Sequence, residues 1–305
     1  MIKNVLITGV AGFIGSNLLD YLLENTDWNI TGIDNLSTGR FKNIEHVKSN
    51  KFKFVHDTIR NLKTLKPYDI IFHLAALPRI QPSFEFIIDH VNENLINTLH
   101  LIELMIKEDH FPRFVNSSSS AIYGTPQNIP TTEDEPFNSL SPYAYQKEEV
   151  ERYFDILSTR YPKLNYVHLR YFNPYGPRSF NPENKFNAYS SVVGIFLYRY
   201  KNNLPLLVTG NGKQRRDFIH VYDVASANYS AATYPGKLNT AFNIGFGSTL
   251  SIIDLAQMIS SRYEFIPKRE GEAEITFADI SKAKKILGWI PTIRLEHYIK
   301  QEIKK

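Results

Sequence analysis

The 305-residue sequence contains no cysteine. That excludes a disulfide framework and a thiolate metal site alike, and it fits a reducing compartment. The sequence also lacks any apolar run near the ~20 residues needed to span a bilayer. Met1 leads straight into a strand candidate with no charged leader or cleavage site, so a cytoplasmic globular protein with no membrane partner is expected. Excess charge is scarce too. Lys and Arg number 35 against 31 Asp and Glu, a net +4 with both signs interspersed. No basic stripe with aromatic platforms stands out, so no nucleic-acid partner is expected. A few arginines serving a small anionic ligand would account for the surplus. Internal repeats and low-complexity tracts are absent.

What is present is a large apolar fraction, 43 %, enough for a core shared by two lobes. Strand and helix signals alternate through the first half. Strands are predicted over Ile2–Thr8, Ile30–Ile33, Phe52–Val55, Ile70–Leu74, Phe114–Ser118 and Tyr166–Leu169. Helices are predicted over Phe13–Glu24, over Phe84–Lys107 with apolar Val91, Leu95, Ile102 and Met105, and over Tyr143–Arg160. This alternation implies an α/β fold with a doubly wound, Rossmann-type parallel sheet. After about residue 174 the texture changes. The stretch NPYGPRSFNPEN reads as a long loop, and short mixed elements follow. The expected division is residues 1–173 as a dinucleotide-binding domain and 174–305 as a smaller α/β substrate lobe, with some late segments returning to the first.

Residues 5–19 read VLITGVAGFIGSNLL, a strand, a turn with Gly9, Gly12 and Gly15, and a helix. In that setting the glycines permit a tight turn, close backbone approach to a pyrophosphate, and close packing of the helix. The helix start supplies free N–H groups for the phosphates. The spacing, G-x-x-G-x-x-G, is one residue longer than the common form. Asp34 ends the second strand about 20 residues on, where an acid accepts the adenosine ribose hydroxyls. A carboxylate there repels a 2′-phosphate, which favours NAD over NADP.

A second constellation lies in SSSSAIYG (117–124) and SPYAYQK (141–147). Tyr143 and Lys147 are four apart and share a helix face. A phenol of pKa ~10 is a poor base at neutral pH. A nearby ammonium and a positive nicotinamide favour its phenolate. Tyr145 competes, but Glu149 stands four residues beyond it and disfavours its ionisation. Alternation on the preceding strand puts Ser117 and Ser119 on one face, where a hydroxyl can bridge the tyrosine and a substrate oxygen.

Together these segments resemble the extended short-chain dehydrogenase/reductase family, and within it the NAD-dependent nucleotide-sugar 4-epimerases. The resemblance runs through TGVAGFIGSNL, IDNLSTG, FHLAAL, SSSSAIYG, SPYAYQK, LRYFNPYGPR, RRDFIHVYDV and ADISKAKKILGW. It implies a catalytic set of Ser119, Tyr143 and Lys147. It implies that NAD meets Phe13 and Ile14 behind the glycine turn, and Asn35, Thr38 and Gly39 in the ribose loop. Further cofactor contacts implied are Thr58 and Ile59, then Leu74, Ala75 and Ala76, then Asn94, Ser117 and Phe172. On the substrate side it implies Asn173, Tyr189, Val192, Arg216 and Arg269, with Arg216 and Arg269 on the diphosphate, where guanidinium forks suit phosphate oxygens. Two positions depart from the pattern. Thr58 stands where the family often has an aspartate, with Asp57 just before it, and Pro78 stands where many epimerases carry a lysine.

The resemblance also bears on the reaction. The 4,6-dehydratases carry an Asp-Glu pair directly after the catalytic hydroxyl; here those positions are Ser120 and Ala121. A reductase using external NADPH favours a basic residue at Asp34. Epimerisation at C4 of a UDP-sugar is therefore the leading reading. A gatekeeper seven residues after Arg269 is Thr276, small enough to admit a 2-acetamido group, and NAYSSVVGIF is similar to the N-acetylhexosamine type. UDP-GlcNAc/UDP-GalNAc is the expected pair, with UDP-Glc/UDP-Gal open. A homodimer through the 84–107 and Tyr143 helices is implied as well. A dehydratase or 4-keto reductase, and a non-catalytic NAD-binding regulator, are the competing readings.

Overall fold

A computed structural model describes residues 2–181 and 191–305. Its centre is a seven-stranded sheet. The strands are β1 (Asn4–Thr8), β2 (Asn29–Asp34), β3 (Phe52–His56), β4 (Ile70–His73), β5 (Arg113–Ser119), β6 (Tyr166–Tyr171) and a late strand, Thr240–Ile244. The order across the sheet is Thr240–Ile244, β6, β5, β4, β1, β2, β3. Every neighbouring pair is parallel. The chain therefore starts in the middle and winds outward in both directions. This doubly wound order has its switch point between β1 and β4, where a crevice opens at the carboxyl ends of the strands.

A central parallel strand is covered on both faces, so β1 is apolar on both sides through Val5, Leu6 and Ile7. In β1, Val5 and Ile7 enter one core with Leu18, Leu22, Phe72 and Phe242. Leu6 enters the opposite core with Ile71, Leu101, Met105 and Phe154. The helix Phe13–Asn25 packs against Val221–Thr233 over the first face, and Asn97–Glu108 and Pro142–Arg160 cover the second. A further core gathers Tyr175, Phe196, Val208, Phe218 and Leu255 beside the parallel pair Leu206–Thr209 and Tyr263–Ile266. The segment read as a long loop contains a two-residue strand, Pro174–Tyr175, paired with Ile219–His220.

The helix expected over 84–107 is not continuous. It forms as Ile80–Glu85, Ile87–His90, a π turn at Val91–Ile96 and Asn97–Glu108. Phe86 interrupts it with φ −116° and ψ 56°. The π turn inserts an extra residue, a device that re-aims a side chain. It buries Asn94, whose amide donates to Gln146 Oε1 at 2.8 Å and whose oxygen accepts from Leu77 N at 2.7 Å. Apolar periodicity carries no signal for that hydrogen-bonded detour.

Candidate active site

The crevice is a cavity of about 740 Å³. At one end the turn after β1 has Gly9 at φ +71°, a left-handed conformation that favours glycine. The helix beginning at Phe13 has no side-chain cap and no acid in its first turn, so its first N–H groups remain available to an anion. A Cβ on Gly15 would stand 2.9 Å from Gly9 C and Val10 Cα, and closer still to Gly9 O. The third glycine thus packs the helix onto the turn itself.

Asp34 closes this end. Its Oδ2 accepts from Ala11 N at 2.9 Å and its Oδ1 from Leu36 N at 2.8 Å. Burial nonetheless raises its pKa. Both Asp57 and Thr58 line the cavity. Asp57 Oδ1 accepts from Asn61 Nδ2 and Thr58 N, each at 2.7 Å, and these bonds hold its carboxyl below the ordinary range. A glycine turn at a helix start, an acid at the end of β2 and an elongated crevice fit a dinucleotide.

The cofactor residues expected from the sequence line this cavity except for two. Asn94 lies behind the wall, bonded to Leu77 and Gln146 as above. Phe172 is buried with Ile122, Tyr123 and Ala278. Both are supports rather than lining residues. On the substrate side, Asn173, Val192, Arg216, Arg269 and Thr276 line the cavity; Tyr189 lies outside the described residues.

At the centre, Tyr143 is 8 % exposed and faces the cavity, whereas Tyr145 is 54 % exposed. Ser141 Oγ caps the helix by accepting from Ala144 N at 3.2 Å, and Ser83 Oγ accepts from Tyr143 N at 3.1 Å. Burial raises the phenol above its usual value, countered by a hydrogen bond with Ser119 and by the charge of Arg79. Lys147, four residues on along the same helix, lines the same cavity. Lys147 donates to Ser117 O at 2.8 Å, and burial pushes it down to about 8, with Glu151 opposing. Glu151 in turn pairs with Arg170 at 2.6 Å in the interior. Arg79 is the functional candidate that the sequence reasoning missed. Its only signal was a cation one residue after Pro78.

At the far end, Arg216 pairs with Glu272 at 3.3 Å and Arg269 approaches the same carboxylate at 3.9 Å. Thr276 is held by its hydroxyl, which accepts from Asn173 Nδ2 at 2.9 Å and Asp217 N at 3.2 Å. Asn173 Nδ2 also donates to Asp217 O at 2.9 Å, so both amide hydrogens are committed within the protein. Asp217, pushed up to about 7 by burial, accepts from Phe246 N, Gly247 N and Ala278 N. The arrangement can hold a dinucleotide, grip a dianion at the opposite end, and present a phenol between them.

The sequence profile of the NAD dependent epimerase/dehydratase family matches residues 5–245. The chain belongs to that family. It is an NAD-dependent enzyme of the epimerase/dehydratase class, with the family's Rossmann-like sheet. A putative UDP-glucose 4-epimerase of Methanocaldococcus jannaschii is 34 % identical over 310 residues, covering 98 % of this chain and 97 % of that protein. The structure of a UDP-N-acetylglucosamine 4-epimerase from Methanobrevibacter ruminantium M1, in complex with UDP-N-acetylmuramic acid, matches with a TM-score of 0.90. It is 31 % identical and covers 99 % of this chain and 97 % of its own. A UDP-glucuronic acid 4-epimerase from Bacillus cereus, in complex with UDP-glucuronic acid and NAD, matches with a TM-score of 0.89. Its identity is 29 %, with 99 % and 98 % covered. Among the described residues no helix is long and apolar enough to cross a membrane, and no cluster suited to a metal ion occurs.

Proposed function

We propose that this enzyme is a cytoplasmic UDP-sugar 4-epimerase whose sugar pocket admits UDP-GlcNAc/UDP-GalNAc, and UDP-Glc/UDP-Gal as well. One observation carries the reading: Ser119, Tyr143 and Lys147 stand in the same cavity as the Asp34 end and the Arg216–Arg269 end. NAD, when bound, supplies the acceptor and donor of hydride at C4. The chain's own residues do the rest. Tyr143, hydrogen-bonded with Ser119, takes the C4 hydroxyl proton and later returns one. Lys147, on the same helix and anchored on Ser117 O, favours the phenolate with its positive charge. Arg216 and Arg269 hold the diphosphate through both halves of the cycle, in place of Glu272 as their anionic partner. With the diphosphate fixed and the hexose loosely held, the planar 4-keto sugar can turn and take hydride on its other face. Thr276 edges the pocket where a bulky aromatic would exclude a 2-acetamido group.

Epimer analysis with UDP-GlcNAc and UDP-Glc tests this reading. Interconversion of both pairs is expected, with UDP-GlcNAc activity lost in Thr276→Tyr. Turnover of UDP-Glc alone by the parent enzyme would overturn the pocket assignment.

The enzyme also fits a homodimer. Ile88 is 71 % and Ile156 67 % exposed, and Phe84, Ile87, Ile96 and Tyr153 on the same stretches of chain are exposed as well. Exposed large apolar side chains grouped on neighbouring helices suit an interaction surface.

A further inference from the structure

The motif LRYFNPYGPR ends in Arg178, a residue with no part in the site as built above. Its backbone has φ +66°, a left-handed conformation that a side chain with a Cβ rarely adopts. From the loop beyond Asn173 its guanidinium reaches the cofactor side. Nη1 donates to Asn43 O at 2.8 Å, and Nη2 donates to Asn17 Oδ1 at 3.0 Å and to Asp20 Oδ2. Asn17 and Asp20 lie on the helix Phe13–Asn25, and Asn43 lies on the segment that follows Asp34. These partners are the groups that hold the glycine turn. Asn43 Nδ2 donates at 2.8 Å to the carbonyl of Ala11, between Gly9 and Gly12. Asn17 Nδ2 donates to Phe13 O at 2.8 Å, at the helix start, and to Pro177 O at 3.1 Å, beside Arg178 itself. Asp20 Oδ1 accepts from His46 Nε2 at 2.8 Å, which ties the helix to the same segment as Asn43. Asn17 and Asn43 are buried.

We propose that Arg178 is a positioning residue for the cofactor: it clamps the glycine turn, the helix behind it and the segment after Asp34 from the substrate side, and so slows the release of NAD. A guanidinium suits this place. It is planar, always charged, and offers several donors in a fixed fork, so one side chain can bridge three acceptors that an ammonium could not serve in one plane. Both terminal nitrogens are spent on protein acceptors, so Arg178 acts on the phosphate cradle through Asn17 and Asn43. The clamp closes only when the loop beyond Asn173 is in place, which couples the substrate wall to the cofactor turn. Retention matters to the proposed cycle, because the reduced cofactor has to stay while the 4-keto sugar turns. Arg178 borders the cavity, but Asp20 is not among its lining residues. A change at Asp20 therefore reaches NAD through the clamp.

This inference rests on the glycine turn being the NAD site, and its test needs no sugar substrate, so it stands apart from the epimerase reading. The parent, Arg178→Gln, Asp20→Asn and the double variant are loaded with NAD and passed into NAD-free buffer, and the bound cofactor is followed with time. Arg178→Gln is expected to lose NAD about tenfold faster than the parent, the effect of losing one charge-assisted hydrogen bond. Asp20→Asn is expected to speed the loss in the same direction. The double variant is expected to fall short of the product of the two, since both act through one clamp. Saturating NAD should return the kcat of each variant to near the parent value with the KM for UDP-hexose unchanged, a recovery that a general loss of folding would not show. If Arg178→Gln does not fold, Arg178→Lys takes its place: it keeps the charge, lacks the three-way bridge, and is expected to release NAD faster too. Parent-like retention in the Arg178 variant overturns the proposal. So does fast release confined to the Arg178 variant with Asp20→Asn parent-like, which would place the guanidinium on the cofactor itself. A parent protein that neither carries NAD nor is stabilised by it against heat would instead remove the cofactor site, and the clamp with it.

Discussion

Replacing Gly15 by alanine sets two well-separated effects against each other. On helix propensity alone the change stabilises by about 1 kcal/mol, since glycine inside a helix is disfavoured by that amount. The structure opposes it. The added Cβ would lie 2.9 Å from Gly9 C and Val10 Cα and nearer to Gly9 O. These are backbone atoms of a turn with Gly9 at φ +71°, so no flexible side chain can yield. Overpacking of this kind costs about 1–3 kcal/mol, enough to cancel or outweigh the propensity gain. Relief requires the turn to move away from the helix start, and that start is the proposed phosphate cradle. Losing one well-placed N–H contact of about 1.4 kcal/mol weakens binding about tenfold. Thermal melts with and without added NAD, together with the NAD content of the purified protein, measure both parts. The expected result is no gain in stability of the NAD-free protein and at least about tenfold weaker NAD binding. A variant stabilised by about 1 kcal/mol with undiminished NAD affinity would refute the close-packing argument.

Three further outcomes are expected. Glu151→Gln leaves Arg170 buried without its counter-charge and should cost about 3–5 kcal/mol in urea unfolding, part of it recovered in Glu151→Gln/Arg170→Gln. Lys147 is depressed to about 8 in the folded state against ~10.4 unfolded, so between those values the unfolded chain binds more protons and stability rises with pH. Relative to Lys147→Met, the parent should gain up to about 3 kcal/mol across that window; urea melts at its two ends check the sign. Ile156→Glu, on the exposed face of the Tyr143 helix, should yield a monomer mass in light scattering at micromolar concentration. An unchanged dimer would place the interface elsewhere.

Much of this site could be read from the chain because its elements carry strong local signals. The run VLIT, the glycine turn and the following helix form a strand–turn–helix unit whose chemistry depends on sequence neighbours. Asp34 and the Tyr143–Lys147 pair follow from strand ends and helix spacing. What escaped depends on contacts between distant segments. Asn94 sits on a helix whose break is stabilised by Leu77 and Gln146. Phe172 turns into a core completed by Ala278, more than a hundred residues away. Burial among segments distant in sequence raises the phenol of Tyr143. Strand alternation did place Ser119 towards the phenol. It carried no sign that Lys147 also donates to Ser117 O.

The central claim is that one hydrogen leaves C4 and returns to the opposite face of the same sugar without escaping. The most direct measurement uses UDP-hexose deuterated at C4, incubated with the NAD-loaded enzyme in ordinary water, with the epimers separated and their label located. The epimer is expected to form with deuterium still at C4, with no net accumulation of NADH and no 4-keto-6-deoxy product. Loss of the label to solvent, or a 4-keto-6-deoxy sugar as the end product, would contradict it.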